Sequence, residues 1–598
     1  MLPAVLLSAC LSVPDAVRSL TVDTRSVAPP TLLQSMTLEQ KVGQLMVVSF
    51  SGQSFTAEAQ AMVRDFHAGG VILFQQNLIN APQIRQLTQQ LQHAAKVPLL
   101  IAADQEGGPV VRITNGATLF PSQMAVGATF SLKDAAAVAG ETATELRGLG
   151  FNVNFAPVVD VNSNPKNPVI GTRSYGADPA MVGALGAAAV GATQRAGVLA
   201  VAKHFPGHGD ADVDSHRALP LIDHSLQRLE SVELPPFRAA IAAGVDGVMT
   251  AHLLLPALES DPKRSATLSP GVLGYLREKL GYTGLIVTDD LEMGAIVNDY
   301  GTAEAAKLAF QAGADVLLFR RTVSEQQRAH ALLVQAVRSG EISSQRLDDS
   351  VTRILAAKEK RGILAPGVTS VTSVPGVKGV ATSTPAQSPN SDVALEVARR
   401  SLTLVKNDGA TLPLKLAEGA PLCVVHPRLE ALRGVEVMAG SPSAAPGSVA
   451  GAEPQTLGDA IKATYPVARL APVGLRPSIE ERDAAQTCVR DARAVVLGSY
   501  NLHEYPAQAA LLKVLIPKDK PVVVVALRLP YDLAELDAAP VLLATYSIRP
   551  ASLRAAAEMV LGKGPAPTGH LPVPVAPRWP LGHGVLDWSR PETLTAVR

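Results

Sequence analysis

Eight short apolar runs, most of them separated by longer segments of helical character, set the tightest limit on what this 598-residue chain can fold into. They are LMVVSF (45–50), GGVILF (69–74), VPLLIAAD (97–104), FNVNFAPVVD (151–160), GVLAVAKH (197–204), DGVMTAH (246–252), GLIVTDD (284–290) and ADVLLF (314–319). Apolar strands alternating with helices pair in parallel, with both faces of the sheet covered. Eight of them predict an α/β fold, a (β/α)8 TIM barrel over 31–364. A short helix is expected to lead into it at MTLEQKVGQL, with Thr37 as N-cap and Gln40 at N3.

The length exceeds what one hydrophobic core usually supports, so a second domain is expected. APGVTSVTSVPGVKGVATSTPAQSPN, rich in Pro, Gly, Ser and Thr, reads as a linker over 365–390. Beyond it, APLCVVHP (420–427), ARAVVLGSY (492–500), KPVVVVAL (520–527) and APVLLATY (539–546) alternate with helical spacers. They predict a C-terminal α/β/α sandwich over 391–598, built on a mainly parallel sheet.

Basic and acidic residues balance at 53 each, and this neutrality argues against nucleic acid or an anionic membrane as the main partner. No apolar run of about 20 residues suggests a transmembrane helix. Residues 1–30 read as a signal-like or unstructured segment: MLPAVLLSAC ends in small residues before Cys10, as a lipoprotein signal does, but lacks a basic n-region. Export with a lipid anchor at Cys10, or release to the periplasm or exterior, is the expectation; a cytoplasmic location follows if the segment is no signal. Cys423 and Cys488 lie far apart, and their spacing alone implies no disulfide.

Polar residues fall where barrel chemistry resides. Asp104, Asp160, Lys203, His204, His252 and Asp289 stand at or just past the C-terminal ends of their runs, the face on which the βα loops converge. For Asp160 a capping or loop role is the plainer reading. KHFPGHGDADVDSH (203–216) holds three of the chain's twelve histidines. A zinc site from His204, His208, His216 and His252 with Asp289 is one reading. Metal-dependent amidohydrolase barrels open with His-x-His on the first strand, whereas here that strand ends MVVSFSG, so no metal is expected. The other reading is proton transfer: in extended chain Asp214 and His216 point the same way, so the carboxylate can orient the imidazole as a general acid/base. With Asp289 as a carboxylate facing the pocket, the set matches the needs of a retaining glycosidase.

MTLEQKVGQL, GGVILFQQN, DQEGGPVVR, FPSQMAVGAT, NPVIGTRSYG, KHFPGHGDADVDSH, VMTAH and TDDLEM, in that order, resemble family 3 glycoside hydrolases. The Asp-Ser-His spacing matches the β-N-acetylglucosaminidase branch, and the likeness extends through RRSLTLVKNDGATLPL and TGHLPVPV into the second domain. The resemblance implies that Asp289 is the nucleophile, His216 the acid/base and Asp214 its orienting partner. Asp104, Arg112, Arg173, Lys203 and His204 match positions that hydrogen-bond a terminal N-acetylglucosamine. For Lys203 and Arg173 a structural ion pair is the alternative, and His208 reads as structural. The Pro-Gly-His-Gly bend (206–209) is expected to act as a flexible joint that lets the Asp214–His216 pair swing over the sugar.

The implied substrate is a small carbohydrate, an N-acetylglucosamine-containing oligosaccharide such as a peptidoglycan fragment, and no cofactor is implied. A neutral imidazole beside Asp289 would also tolerate phosphate as acceptor. One departure is Pro109, where the family commonly has Arg after Glu-Gly-Gly; proline brings neither charge nor N–H. The rival readings are a β-glucosidase or β-xylosidase of the same family, with Glu504 of the second domain as acid/base, and a sugar-binding protein without catalysis.

Overall fold

The structure is a computed structural model that describes residues 30–215, 218–320, 322–364, 390–428, 430–432 and 455–586. The expected signal segment apart from Pro30, including Cys10, the linker apart from Asn390, and His216 lie outside the described residues.

Eight parallel strands close into a barrel in chain order. They are β1 (Met46–Val48), β2 (Gly70–Ile72), β3 (Leu100–Ala103), β4 (Val153–Asn154), β5 (Leu199–Phe205), β6 (Gly247–Thr250), β7 (Leu285–Asp290) and β8 (Val316–Leu318). Each predicted run carries one strand. The expected lead-in helix is present over Leu38–Gln44, closed by a capping box in which Thr37 Oγ1 accepts from the Gln40 amide and Gln40 Oε1 from the Thr37 amide.

The run 151–160 differs most from expectation, because only two of its residues pair as a strand. Pro157 has no N–H for the ladder. The chain leaves the barrel there and touches β5 again where the Val159 amide donates to the Lys203 carbonyl, 2.8 Å. Asp160 is thereby carried to the barrel mouth.

The second sheet runs β11 (Arg469–Val473), β10 (Leu422–Pro427), β12 (Ala494–Ser499), β13 (Val522–Ala526), β14 (Val541–Ala544) and β9 (Thr403–Asn407). Only β9 is antiparallel to its neighbour. Period-two alternation divides its side chains between two cores: Val425, Val495 and Val524 on one face, Val424, Val496 and Val523 on the other. Helices cover both faces, as a sandwich requires. Strands β9 and β11 were not foreseen; β11 is an edge strand with Pro472 inside it and Arg469 exposed, so it lacks the apolar signature.

The two domains share a core. Helix Gln123–Ala128, between β3 and β4, places Met124, Ala125 and Ala128 among the apolar side chains of the second sheet. Cys423 of β10 and Cys488 of helix Ile479–Asp491 form a disulfide with Cα atoms 5.6 Å apart, a pairing that sequence spacing did not supply.

Candidate active site

The C-terminal ends of the barrel strands surround one pocket. Asp104, Arg112, Arg173, Lys203, His204 and Asp289 all line it, so six of the eight predicted site residues meet at one place. Ser215 is also on its wall, and Asp214 immediately precedes it. Glu504 is absent from that wall; it accepts a hydrogen bond from Asn501 Nδ2 at 2.9 Å.

Lys203 and His204 end β5, where the pairing with β6 slips between Ala202 and Phe205. Such an irregularity re-aims side chains at a barrel rim. Lys203 Nζ lies 2.8 Å from Asp104 Oδ1 and 2.7 Å from Glu106 Oε1. Arg112 Nη2 meets the other oxygen of Asp104 at 3.1 Å. Arg173, in the single turn Gly171–Arg173, grips Glu106 at two points, Nε to Oε2 and Nη2 to Oε1, each 2.8 Å. Its Nη2 also lies 3.2 Å from His204 Nε2. A guanidinium can only donate, so His204 Nε2 accepts and the ring proton sits on Nδ1, which donates to Asp160 Oδ2 at 2.7 Å.

Burial opposes charge at Asp104, Glu106, Asp160, Arg173 and Lys203, and the partners overcome it. Desolvation would raise Asp104, but Lys203 and Arg112 hold its carboxyl well below the usual range. Glu106 is likewise lowered by Arg173 and Lys203, and Asp160 by His204 and His208. Burial pulls Lys203 down, yet Asp104 and Glu106 push it up. The pocket therefore keeps a fixed lattice of ionised donors and acceptors. For Lys203 and Arg173 the ion pair and the pocket-facing position coexist.

Asp289 and Asp290 end β7 in different surroundings. Asp289 is partly exposed to the pocket and its Oδ1 accepts from the Asp290 amide at 2.7 Å. Asp290 is buried, and burial pushes its carboxyl up to about 7. The strand end is pinned by His252, whose Nε2 donates to the Asp290 carbonyl at 2.9 Å while Nδ1 lies 2.8 Å from Thr267 Oγ1. The described histidines of the zinc reading thus face separate partners, and among the described residues no His, Cys, Asp or Glu trio converges as metal ligands would.

The turn after β3 accommodates Pro109. Gly107 (φ 87°) and Gly108 (φ 53°) both adopt left-handed conformations. The turn is closed by the Glu106 amide on the Val110 carbonyl, 2.9 Å, and braced by Arg549 Nε of the second domain on the Gly108 carbonyl, 2.6 Å. The glycines supply the geometry, and Pro109 is buried within it.

The bend 206–209 contradicts the flexible joint expected of it. All four residues are buried. A Cβ on Gly209 would lie 1.7 Å from the Val161 carbonyl, and one on Gly207 2.8 Å from the Glu233 side chain. The His208 amide donates to Asp160 Oδ1 at 2.7 Å, and Asn167 Nδ2 to the His208 carbonyl at 2.9 Å. Close packing replaces freedom there; among the described residues of the stretch, Asp212 and Val213 are the exposed ones.

The profile of the glycosyl hydrolase family 3 N-terminal domain matches residues 37–357, the whole barrel with its lead-in helix. The chain belongs to glycosyl hydrolase family 3. Over 559 residues it is 32% identical to a β-N-acetylglucosaminidase/β-glucosidase of Cellulomonas fimi, covering 90% of this chain and 93% of the relative. A β-hexosaminidase A of Pseudoalteromonas piscicida is 37% identical over 422 residues, 64% of this chain and 69% of that one. The solved family 3 β-N-acetylglucosaminidase of Paenibacillus sp. str. FPU-7 superposes with a TM-score of 0.81 at 40% identity, covering 90% of this chain and 99% of that one.

Within this family 3 chain, Glu106 is the site residue that sequence reasoning did not nominate. Its signal was present: two residues beyond Asp104 in extended chain, it points to the same side. Arg320, following β8, also lines the pocket, its guanidinium carbon 5.0 Å from the centre of the Phe74 ring.

Proposed function

We propose that the chain is a retaining β-N-acetylhexosaminidase that removes non-reducing terminal β-linked N-acetylglucosamine. The observation that carries this reading is the meeting of Asp289 with the Asp104–Lys203–Arg173–His204 lattice in one pocket at the barrel mouth. In the proposed reaction an Asp289 carboxylate oxygen attacks the anomeric carbon as the glycosidic C–O bond breaks. His216, oriented by Asp214, gives its proton to the departing oxygen. The same imidazole then takes a proton from water, whose oxygen displaces Asp289 and releases the sugar with retained configuration. The lattice holds the sugar hydroxyls through both steps.

Peptidoglycan fragments are the proposed source of the sugar, and Arg320 supplies a cation on the pocket wall suited to an acidic leaving group. Phosphate could replace water as acceptor, since a neutral imidazole does not repel it; release of sugar 1-phosphate would establish this, and its absence with unchanged turnover would end it. The Cys423–Cys488 disulfide supports export, because such bonds persist in oxidising compartments.

The test is a panel of chromogenic β-glycosides. N-Acetylglucosaminide should be cleaved in strong preference to glucoside, and Asp289→Ala and His216→Ala should each lose most activity. Full activity in His216→Ala with an inactive Glu504→Ala would instead establish the glucosidase-type reading.

A further inference from the structure

The contacts that begin at Arg112 do not end at Asp160. Asp160 Oδ1 takes the His208 amide at 2.7 Å, and the His208 ring reaches on, with Nε2 3.0 Å from Ser215 Oγ. That ring packs edge-on against His204, centroids 5.9 Å apart. Both His208 and Ser215 are buried, whereas Asp212 and Val213 between them are exposed. The chain leaves the core after Ala211 and re-enters it at Ser215.

Burial, with a smaller contribution from neighbouring His204, pushes the His208 imidazole down to about 4, so it is neutral at ordinary pH. A neutral ring carries one N–H. Its Nδ1 is buried with no partner among the described residues. A buried N–H left unpaired costs more than an idle lone pair, so the proton belongs on Nε2, donated to Ser215 Oγ.

We infer that His208 is a positioning residue for proton transfer: its hydrogen bond to Ser215 fixes the re-entry point of the loop and so sets where Asp214 stands beside the pocket. The inference rests on the proposed role of the Asp214–His216 pair. The Ala218 amide donates to the Asp214 carbonyl at 3.1 Å, a local contact, whereas the Ser215 hydroxyl reaches His208 across the stretch.

Aryl N-acetylglucosaminides of graded leaving-group acidity test this with His208→Phe, which fills the space and deletes the bond, and with Ser215→Ala. A poor leaving group needs the protonated acid, whereas dinitrophenolate departs without it. Both variants should lose about 10- to 100-fold in kcat/KM on the poorest leaving group and far less on the dinitrophenyl substrate, since general acid catalysis contributes on the order of 10²–10⁴. His208→Gln, which restores a donor, should recover part of the loss. Equal losses across the series, or none, would overturn the inference even where His216→Ala shows the leaving-group dependence. If His216→Ala shows none, the proton-transfer reading fails and this one with it. Should His208→Phe not fold, Ser215→Ala alone decides.

Discussion

Arg173 and Glu106 form a two-point ion pair, both bonds 2.8 Å, with side-chain exposures of only 10% and 1%. The carboxylate that neutralises Arg173 also pairs with Lys203, whose second partner is Asp104, so two pocket-lining cations share one anion. Replacing it with an amide leaves two cations close together without their shared counter-charge. Glu106→Gln should destabilise the fold by about 3–5 kcal/mol, the cost of breaking a buried pair, and raise KM steeply. Urea unfolding beside steady-state kinetics checks both. Arg173→Lys should lose binding too, because an ammonium cannot reproduce the fork.

Acid sensitivity has two opposed contributors. His208 is lowered to about 4 in the fold, whereas an unfolded histidine titrates near ~6.5. Between those values the unfolded chain binds the extra proton, so this residue contributes stability that is lost as pH falls from about 6.5 towards 4, roughly 3 kcal/mol in all. Asp290 is raised to about 7, against ~3.9 unfolded, so its contribution runs the other way and is lost as pH rises through 4 to 7. His208→Phe should flatten the acid-side fall in stability, and Asp290→Asn should remove the loss on the way up. Chemical denaturation at stepped pH separates them.

The barrel was legible because its strands are buried on both faces and read as continuous apolar runs. The convergence of six nominated residues on one pocket was legible because the ends of the barrel strands meet on one face. What escaped has physical reasons. Pro157 cut β4 short inside an apolar run that looked continuous. Edge strand β11 has no buried face on one side, so Arg469 and Pro472 disguised it. The Gly-rich bend after His204 looked mobile by composition, but its glycines mark close approaches to Val161 and Glu233. A disulfide depends on Cα proximity, which spacing does not encode.

The Cys423–Cys488 bond closes a loop of 65 residues between β10 and its covering helix. Cross-linking a loop of that size restricts the unfolded chain by about 4 kcal/mol in the entropy model. Cys488→Ser should lower stability by about 2–4 kcal/mol with catalysis at low temperature little changed. Non-reducing peptide mapping should find the linked peptides.

The second domain reaches the site through Arg549, whose Nε donates to the Gly108 carbonyl beneath the Glu106 turn. Arg549→Ala should raise KM about 3- to 10-fold with kcat nearly kept, the size expected for one hydrogen bond. Unchanged KM would restrict the second domain to packing.

Arg320 and Arg112 approach one aromatic ring, their guanidinium carbons 5.0 and 5.5 Å from the Phe74 centroid. Arg112 also pairs with Asp104, and the Arg320 amide donates to Glu292 Oε2 at 2.8 Å. A cation kept on an aromatic face at a pocket wall suits an acidic leaving group better than a neutral one. Arg320→Ala should therefore raise KM about tenfold, roughly 1.4 kcal/mol, for a disaccharide whose leaving sugar carries a carboxylate. For chitobiose, whose leaving sugar is neutral, the change should be under about threefold. Higher salt should narrow the gap in the unsubstituted enzyme, since screening weakens an ionic contact at the pocket edge. Equal effects on both substrates would mean that Arg320 serves the wall rather than the leaving group.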